Sequence, residues 1–183
     1  EQTKMIPEKL KRLWLKYIIG YGKPQNYWDS RWSFKLNAEY RTEQTSWELL
    51  GVIKELMEKH CCNSILEIGC GRAILRELPN YLGLDFSFEA LKQSKLKTFI
   101  YADITNKIPL PANSQDAVLS KFVLLHIPPS KIDTAVAEIC RVASKLVILK
   151  EPYGTPKHEQ PHCWRHNLPE LFNKHFNGNV TFL

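Results

Sequence analysis

Residues 64–85 read Ser-Ile-Leu-Glu-Ile-Gly-Cys-Gly-Arg-Ala-Ile-Leu-Arg-Glu-Leu-Pro-Asn-Tyr-Leu-Gly-Leu-Asp, and this stretch decides the fold. A short apolar run leads into Gly69 and Gly71, and a second apolar run ends on the carboxylate of Asp85. Between them we expect a brief helix over about Ile74–Leu78. Strand, glycine turn, helix, strand and acid form the pattern of one nucleoside-binding half of a doubly wound sheet. The pattern leaves open which nucleoside is bound.

The rest of the chain alternates between helical and strand-like segments. Besides the strands at 65–68 and 81–84, we expect strands over residues 98–101, 116–122, 146–149 and 179–183. Helices are expected over 7–19, from 45 or 46 through 59, from 87, from 130 or 131 to about 142, and over 168–175, with a loop over 152–161. This alternation predicts an α/β fold whose doubly wound, Rossmann-like sheet is mostly parallel and is preceded by an N-terminal helical extension.

Composition excludes several classes of protein. The chain has 183 residues and a formal net charge of +6, which predicts one domain that buries roughly 70% of its unfolded surface. No apolar run approaches the roughly 18 residues of a membrane span, and the N-terminus lacks the regions of a signal peptide. Five cysteines, including the adjacent Cys61 and Cys62, do not form a disulfide framework. Reduced thiols and a cytoplasmic location are therefore expected.

Four motifs carry a resemblance to a known family. Residues 66–73 (Leu-Glu-Ile-Gly-Cys-Gly-Arg-Ala), 83–87, 101–104 and 116–128 follow one another in the order and on the strands of the class I S-adenosylmethionine-dependent methyltransferases. A dinucleotide-binding turn would have a glycine where Ile74 stands. Glu67 would be unhelpful beside a pyrophosphate, whereas the sulfonium and ammonium of S-adenosylmethionine tolerate a nearby acid. The combination identifies S-adenosylmethionine as the expected cofactor.

The resemblance implies a role for each matching position. The backbone at Gly69 and Gly71 would pass beside the methionine portion and the sugar, Asp85 would accept from the ribose hydroxyls, and Asp103 from the adenine amino group. The full set of expected cofactor-binding residues is Glu67, Gly69, Cys70, Gly71, Asp85, Phe86, Asp103, Ile104, Ser120 and Lys121. A capping or surface role is the structural alternative for each acid.

Three departures from the family pattern stand out. The expected helix between the first two strands is about one turn short. The family's Pro-Gly-Gly turn before the fifth strand is replaced by residues 143–145 (Ala-Ser-Lys). No residues remain after Leu183 for the family's seventh strand, which predicts either a truncated chain or an unusual sheet edge lacking that strand.

The acceptor side is less informative, because methyl transfer requires no universal catalytic residue. The candidates at the active-site mouth are His126, Tyr153, His162 and His166. His158, His162, Cys163 and His166 could be read as metal ligands, but their spacing matches no common zinc finger, so we expect no metal. The histidines at 162 and 166 either shape an acceptor pocket or pack a loop. Trp28 and Trp32 lie four residues apart and would share one face of a helix, either packing on the sheet or covering the cofactor.

One domain over residues 1–183 is expected, with a helical cap (1–60), a cofactor-binding core (61–150) and an acceptor-side loop, helix and last strand (151–183). The favoured function is direct methyl transfer to a small-molecule acceptor, because of the chain's size, the lid-like tryptophans and the absence of an appended RNA-binding module. The mild basic charge leaves an RNA or protein acceptor as an alternative. A non-catalytic, methyltransferase-like binding subunit is the third hypothesis. The sequence does not determine the oligomeric state.

Overall fold

A computed structural model describes residues 24–33, 43–160 and 163–183. The helix expected over 7–19 lies outside these ranges. The helices are α1 (Pro24–Ser33), α2 (Glu43–Lys59), α3 (Phe88–Ser94), α4 (Ile132–Val142) and α5 (Leu168–His175). The strands are β1 (Ile65–Ile68), β2 (Tyr81–Asp85), β3 (Phe99–Tyr101), β4 (Gln115–Lys121), β5 (Ala143–Lys150), β6 (Lys157–Gln160), β7 (Cys163–Arg165) and β8 (Asn179–Phe182), and a 3₁₀ turn covers Leu124–His126.

Six strands form the central sheet in the order β3-β2-β1-β4-β5-β8, and every neighbouring pair is parallel. The strand order reverses between β1 and β4, so the carboxyl ends of these two strands flank the crevice in which such sheets bind ligands. The expected α/β, mostly parallel sheet is confirmed. Among the described residues, the sheet ends at β8 and contains no antiparallel strand.

Alternate side chains along the strands supply two cores. On one face, Leu66 and Val147 pack with α4 and α5, whose Phe172 is fully buried. On the other face, Ile65 and Leu119 pack with α2. Because both faces are covered, the central strands are apolar along nearly their whole length, as parallel strands require.

The helix expected over Ile74–Leu78 is wrong. Residues 71–80 form successive turns, in which Ala73 N donates to Cys70 O (2.8 Å) and Arg76 N to Ala73 O (3.2 Å). Ala73 has a φ of +52°, a left-handed conformation that a right-handed helix cannot include. The turns still bury Leu75 and Leu78 against the α2 side of the sheet, so burial of these leucines replaces regular helical bonding.

The loop expected over 152–161 is also wrong in part. Residues Lys157–Gln160 pair antiparallel with Cys163–Arg165, and the rings of His158 and Trp164 stack with centroids 5.5 Å apart. The first of these strands, β6, is polar throughout and does not alternate between apolar and polar residues. Pairing with β7, and not its own sequence pattern, therefore makes it a strand.

Phe172 provides a test of the packing. Replacing it with alanine removes a fully buried ring between α5 and the sheet, and we expect the free energy of unfolding to fall by about 3–5 kcal/mol. Urea denaturation followed by circular dichroism measures the change. The control is Phe88→Ala, because Phe88 is 44% exposed; an equal loss in both variants would contradict the assignment of Phe172 to the core.

Candidate active site at the carboxyl ends of the strands

The glycine turn after β1 is tied to the end of β2. Gly69 and Gly71 have φ values of +63° and +53°, a left-handed region that favours glycine. Cys70 N donates to Leu84 O (2.9 Å), and Gly71 N donates to Asp85 Oδ2 (2.9 Å). These bonds fix the turn beside the acid, as the sequence pattern predicts.

Asp85 is buried, with 6% of its surface exposed. Its Oδ1 accepts from Ser87 N (2.8 Å), while Oδ2 accepts from Gly71 N. Burial raises the pKa of Asp85 to about 6, although backbone N–H groups of Ser87, Gly71 and Phe86 oppose the rise. The group is therefore largely ionised at pH 7. A carboxylate has about four acceptor positions, so capacity for further donors remains.

Glu67 is buried two residues before Gly69, where Tyr81 Oη donates to its Oε2. Burial raises the pKa of Glu67 to about 7, and the Tyr81 hydrogen bond and the positive charge of Lys121 oppose this rise. Burial also lowers the pKa of Lys121 and raises that of the Cys70 thiol. The side chains of Glu67 and Lys121 thus form a partly desolvated acid and base beside the turn.

The helix α1 lies against this turn. A Cβ atom at Gly71 would come within 2.9 Å of Trp32 Cζ2, so the absence of a side chain lets the indole pack here. Asp29 Oδ1 accepts from Ser87 Oγ (2.6 Å), and Gln93 Nε2 donates to Trp32 O (3.3 Å). Trp28 and Trp32 therefore belong to a helix that contacts the expected cofactor-binding turn through its second tryptophan.

The segment after β4 covers the other glycine. A Cβ atom at Gly69 would overlap Val123 Cγ2. Glu151, which follows β5, holds this segment, since its Oε1 accepts from Ser120 Oγ (2.8 Å), Val123 N (2.7 Å) and Leu124 N (3.1 Å). Burial raises the pKa of Glu151. The sequence-based expectations gave Glu151 no role; the available signal was an acid directly after an apolar strand, the same signal that singled out Asp85.

Three expected cofactor-binding residues lie at the ends of β2 and β3. Asp103 Oδ1 accepts from Thr105 N (2.8 Å), which makes a local turn of the kind expected for a structural acid. The Ile104 side chain is buried in the core, and Phe86 is half-buried next to Asp85. Their places at the carboxyl edge agree with the expected motif order, while their binding roles stay predictions.

The acceptor-side candidates are separated by their contacts. The His126 ring meets the edge of Trp28 at a centroid distance of 4.9 Å, and its Nδ1 lies 3.7 Å from Cys163 Sγ. His166 is buried with its Nε2 at 3.0 Å from Ile127 O, and burial lowers its pKa, so it is neutral at pH 7 and donates to that carbonyl. His126 thus joins α1 to the β6–β7 hairpin, whereas His166 fixes the hairpin to the segment after β4.

The remaining acceptor-side features lie around the hairpin. Tyr153 is exposed, and its ring contacts Phe182 at 4.5 Å. His162 lies outside the described residues. A groove of about 570 Å³ is lined by Pro129, Ile132, Pro156, Lys157, His158, Trp164, Arg165, His166, Asn167, Glu170 and Leu171. Within residues 24–33, 43–160 and 163–183, no group of three or more His, Cys, Asp or Glu side chains is arranged to hold a metal ion.

Comparisons with known proteins agree with this architecture. Residues 66–148 match the family model described as a methyltransferase domain. No curated protein matches the chain. Among the helices that the structure describes, none has the length and apolarity required to cross a membrane.

Solved structures with the same fold include a SAM-dependent methyltransferase from Archaeoglobus fulgidus (17% identity, TM-score 0.51, covering 68% of this chain and 67% of that one). Magnesium protoporphyrin IX methyltransferase (ChlM) from Synechocystis PCC 6803 with bound SAH gives 17% identity, a TM-score of 0.54 and 68% coverage of each chain. DesVI from Streptomyces venezuelae gives 18% identity and a TM-score of 0.55. The match covers 67% of this chain but only 57% of DesVI. Similarity at this level shows a shared fold.

Glu67 gives a pH-dependent prediction for stability. Because its folded-state pKa of about 7 lies above the ordinary value of 4.5, the folded protein binds the proton more tightly than the unfolded chain. The stability that the protonated Glu67 carboxyl contributes to the folded state is complete below pH 4.5, and it is lost as pH rises to about 7. We expect Glu67→Gln to raise the Tm at pH 8 more than at pH 5.

Thermal unfolding at the two pH values measures this difference. Glu77→Gln is the control, because Glu77 lies exposed on the surface. An equal effect of Glu67→Gln at pH 5 and pH 8 would show that the carboxyl does not titrate in this window.

Proposed function

We propose that this chain, whose residues 66–148 match the methyltransferase-domain family model, is a class I S-adenosylmethionine-dependent methyltransferase that transfers a methyl group to a small-molecule acceptor. The observation that carries the proposal is the glycine turn bonded to the buried carboxylate of Asp85 at the carboxyl edge of the sheet. Helix α1, whose Trp32 packs beside Gly71, covers part of this edge, and this cover favours a small acceptor. The proposal treats residues 1–183 as a single methyltransferase domain acting in the cytoplasm.

The residues at this edge fit the proposed cofactor. Asp85 has acceptor capacity beyond the bonds from Gly71 N and Ser87 N, and ribose offers two hydroxyl donors, each such charge-assisted bond contributing about 1.5–3 kcal/mol. Asp103 has one oxygen bonded to Thr105 N, and its other oxygen would accept from the adenine amino group. Phe86 would lie near the adenine, and the Ile104 N–H would donate to a ring nitrogen. Gly69 and Gly71 would present backbone to the sugar and the methionine portion.

S-adenosylmethionine, when bound, supplies a methyl group activated by the positive charge on sulfur. The new bond forms from a lone pair of the acceptor as the carbon–sulfur bond breaks, and the acceptor loses a proton. The chain's contribution is to position the acceptor and exclude water. Ser120 and Lys121 would border the methionine portion, and the Ser120 hydroxyl donates to Glu151. His126, at the contact between α1 and the hairpin, is the proposed proton acceptor.

One observation favours a second candidate, a binding subunit without catalytic activity. Trp32 and Val123 fill the space beside Gly71 and Gly69 that side chains would otherwise take, and the connection from β1 to β2 contains no helix. The glycines therefore have a packing role of their own. Binding of the demethylated cofactor separates the two candidates.

The first test is calorimetry with S-adenosylhomocysteine. We expect the wild type to bind it and Asp85→Ala to bind at least about tenfold more weakly, or about 1.4 kcal/mol, because the ribose acceptor is lost. Asp133→Ala removes an exposed carboxylate of α4 that pairs with Lys174 and should bind like the wild type. No binding by the wild type at millimolar ligand would contradict both the enzyme and the cofactor assignment.

The second test uses pH. Asp85 has a pKa of about 6 and is mostly protonated at pH 5, so affinity for S-adenosylhomocysteine should fall about tenfold between pH 7 and pH 5 if the ionised form binds. The fall should persist in Glu67→Gln, which removes the neighbouring group with a pKa of about 7, and disappear in Asp85→Asn. Persistence in Asp85→Asn would assign the pH dependence to another group.

A further inference from the structure

Phe122 has an unusual backbone conformation for a bulky residue. It directly follows β4 and has a φ of +54°, in the left-handed region that disfavours any side chain with a Cβ. Among the residues that the structure describes, the other non-glycine residues with a positive φ are Cys61, Ala73, Asn80, Lys95 and Asn113. None of them has an aromatic side chain. Two of these are asparagines, which tolerate the conformation, and Lys95 is a helix C-cap. Phe122 alone is aromatic.

The end of β5 imposes this conformation. Phe122 N donates to Lys150 O (3.1 Å). On either side of Phe122, Ser120 Oγ and Val123 N both donate to Glu151 Oε1. One buried carboxylate thus bonds the Ser120 side chain before the strained residue and the Val123 backbone after it, which is the kind of over-determined surrounding that strain requires.

The ring is not held there by burial. It remains 48% exposed, so the folded protein gains little of the apolar burial that would offset the strain. The next residue, Val123, packs on Gly69, and the preceding Lys121 lies close enough to Glu67 to affect its pKa. Phe122 therefore lies at the carboxyl end of β4, between Lys121 and the residue that packs on the glycine turn, and it is exposed there.

We propose that Phe122 binds the methyl acceptor, presenting its ring to an apolar, planar part of that molecule. This inference rests on the proposed function, because it places the acceptor next to the turn assigned to the cofactor. Aromatic rings bind planar apolar groups by stacked or edge-on contact. The backbone strain at Phe122 is then the cost of exposing its ring after β4. Glu151 is the positioning residue that maintains this conformation.

Two substitutions separate the ring from the strain. Phe122→Ala removes the ring and keeps a Cβ in the left-handed region, whereas Phe122→Gly removes both. If the strain is real, thermal unfolding should give the glycine variant a Tm about 2–4 °C above that of the alanine variant. A glycine variant that melts at or below the alanine variant would overturn the strain argument.

Saturation-transfer NMR tests the binding role. The probe is indole, added to the protein saturated with S-adenosylhomocysteine, with imidazole as a polar planar counterpart. We expect an indole signal with the wild type, a reduction of at least about fivefold in both Phe122 variants, and little signal from imidazole. Phe88→Ala, which removes another exposed phenylalanine, should retain the indole signal.

The outcomes are distinguishable. An indole signal that is absent in the wild type, unchanged in the Phe122 variants, or equally reduced in Phe88→Ala overturns the binding role. Calorimetry on the same samples reports separately on the cofactor. A wild type that fails to bind S-adenosylhomocysteine contradicts the proposed function. Normal cofactor binding together with an indole signal that is the same in the wild type and the Phe122 variants contradicts this inference alone.

Discussion

A buried carboxylate at the end of β2 is the constraint on which the site depends. A charge out of water is stable only when donors surround it, and Asp85 obtains them from the backbone of Gly71 and Ser87. Those two bonds set the glycine turn and the start of α3. Ser87 then extends the network, because its hydroxyl donates to Asp29 of α1. One acid thus joins the strand, the turn, the following helix and the covering helix.

Features specified by local sequence could be predicted. Strand β1, the turn at Gly69 and Gly71, and β2 ending on Asp85 were all recognisable, because apolar runs, glycines and a terminal acid are adjacent in the chain. The helix expected from residue 87 was recognisable for the same reason, since the Ser87 side chain accepts from Ala90 N three residues on. The parallel sheet followed from the alternation of such units.

Features specified by distant residues could not be predicted. Residues 74–78 are good helix formers, yet the preceding Ala73 adopts a left-handed conformation and burial of two leucines determines the path of the chain. Strand β6 exists only through pairing with β7. The packing of Trp32 on Gly71 joins residues far apart in sequence, so the glycine pattern alone suggested ligand contact and gave no sign of the indole.

Asp85 and Glu151 play the same structural role at the carboxyl ends of two strands, β2 and β5. Asp85 is the last residue of β2 and Glu151 directly follows β5. Both carboxylates are buried, and each accepts from backbone N–H groups of a neighbouring segment. Such carboxylates are costly to bury, as the raised pKa of each shows, so they contribute little net stability. What they contribute is geometry: removal of either would leave buried donors unpaired. The packed sheet stabilises the fold, and part of this stabilisation offsets the cost of burying the two acids. The acids in turn hold the turns of the site in fixed, partly strained conformations.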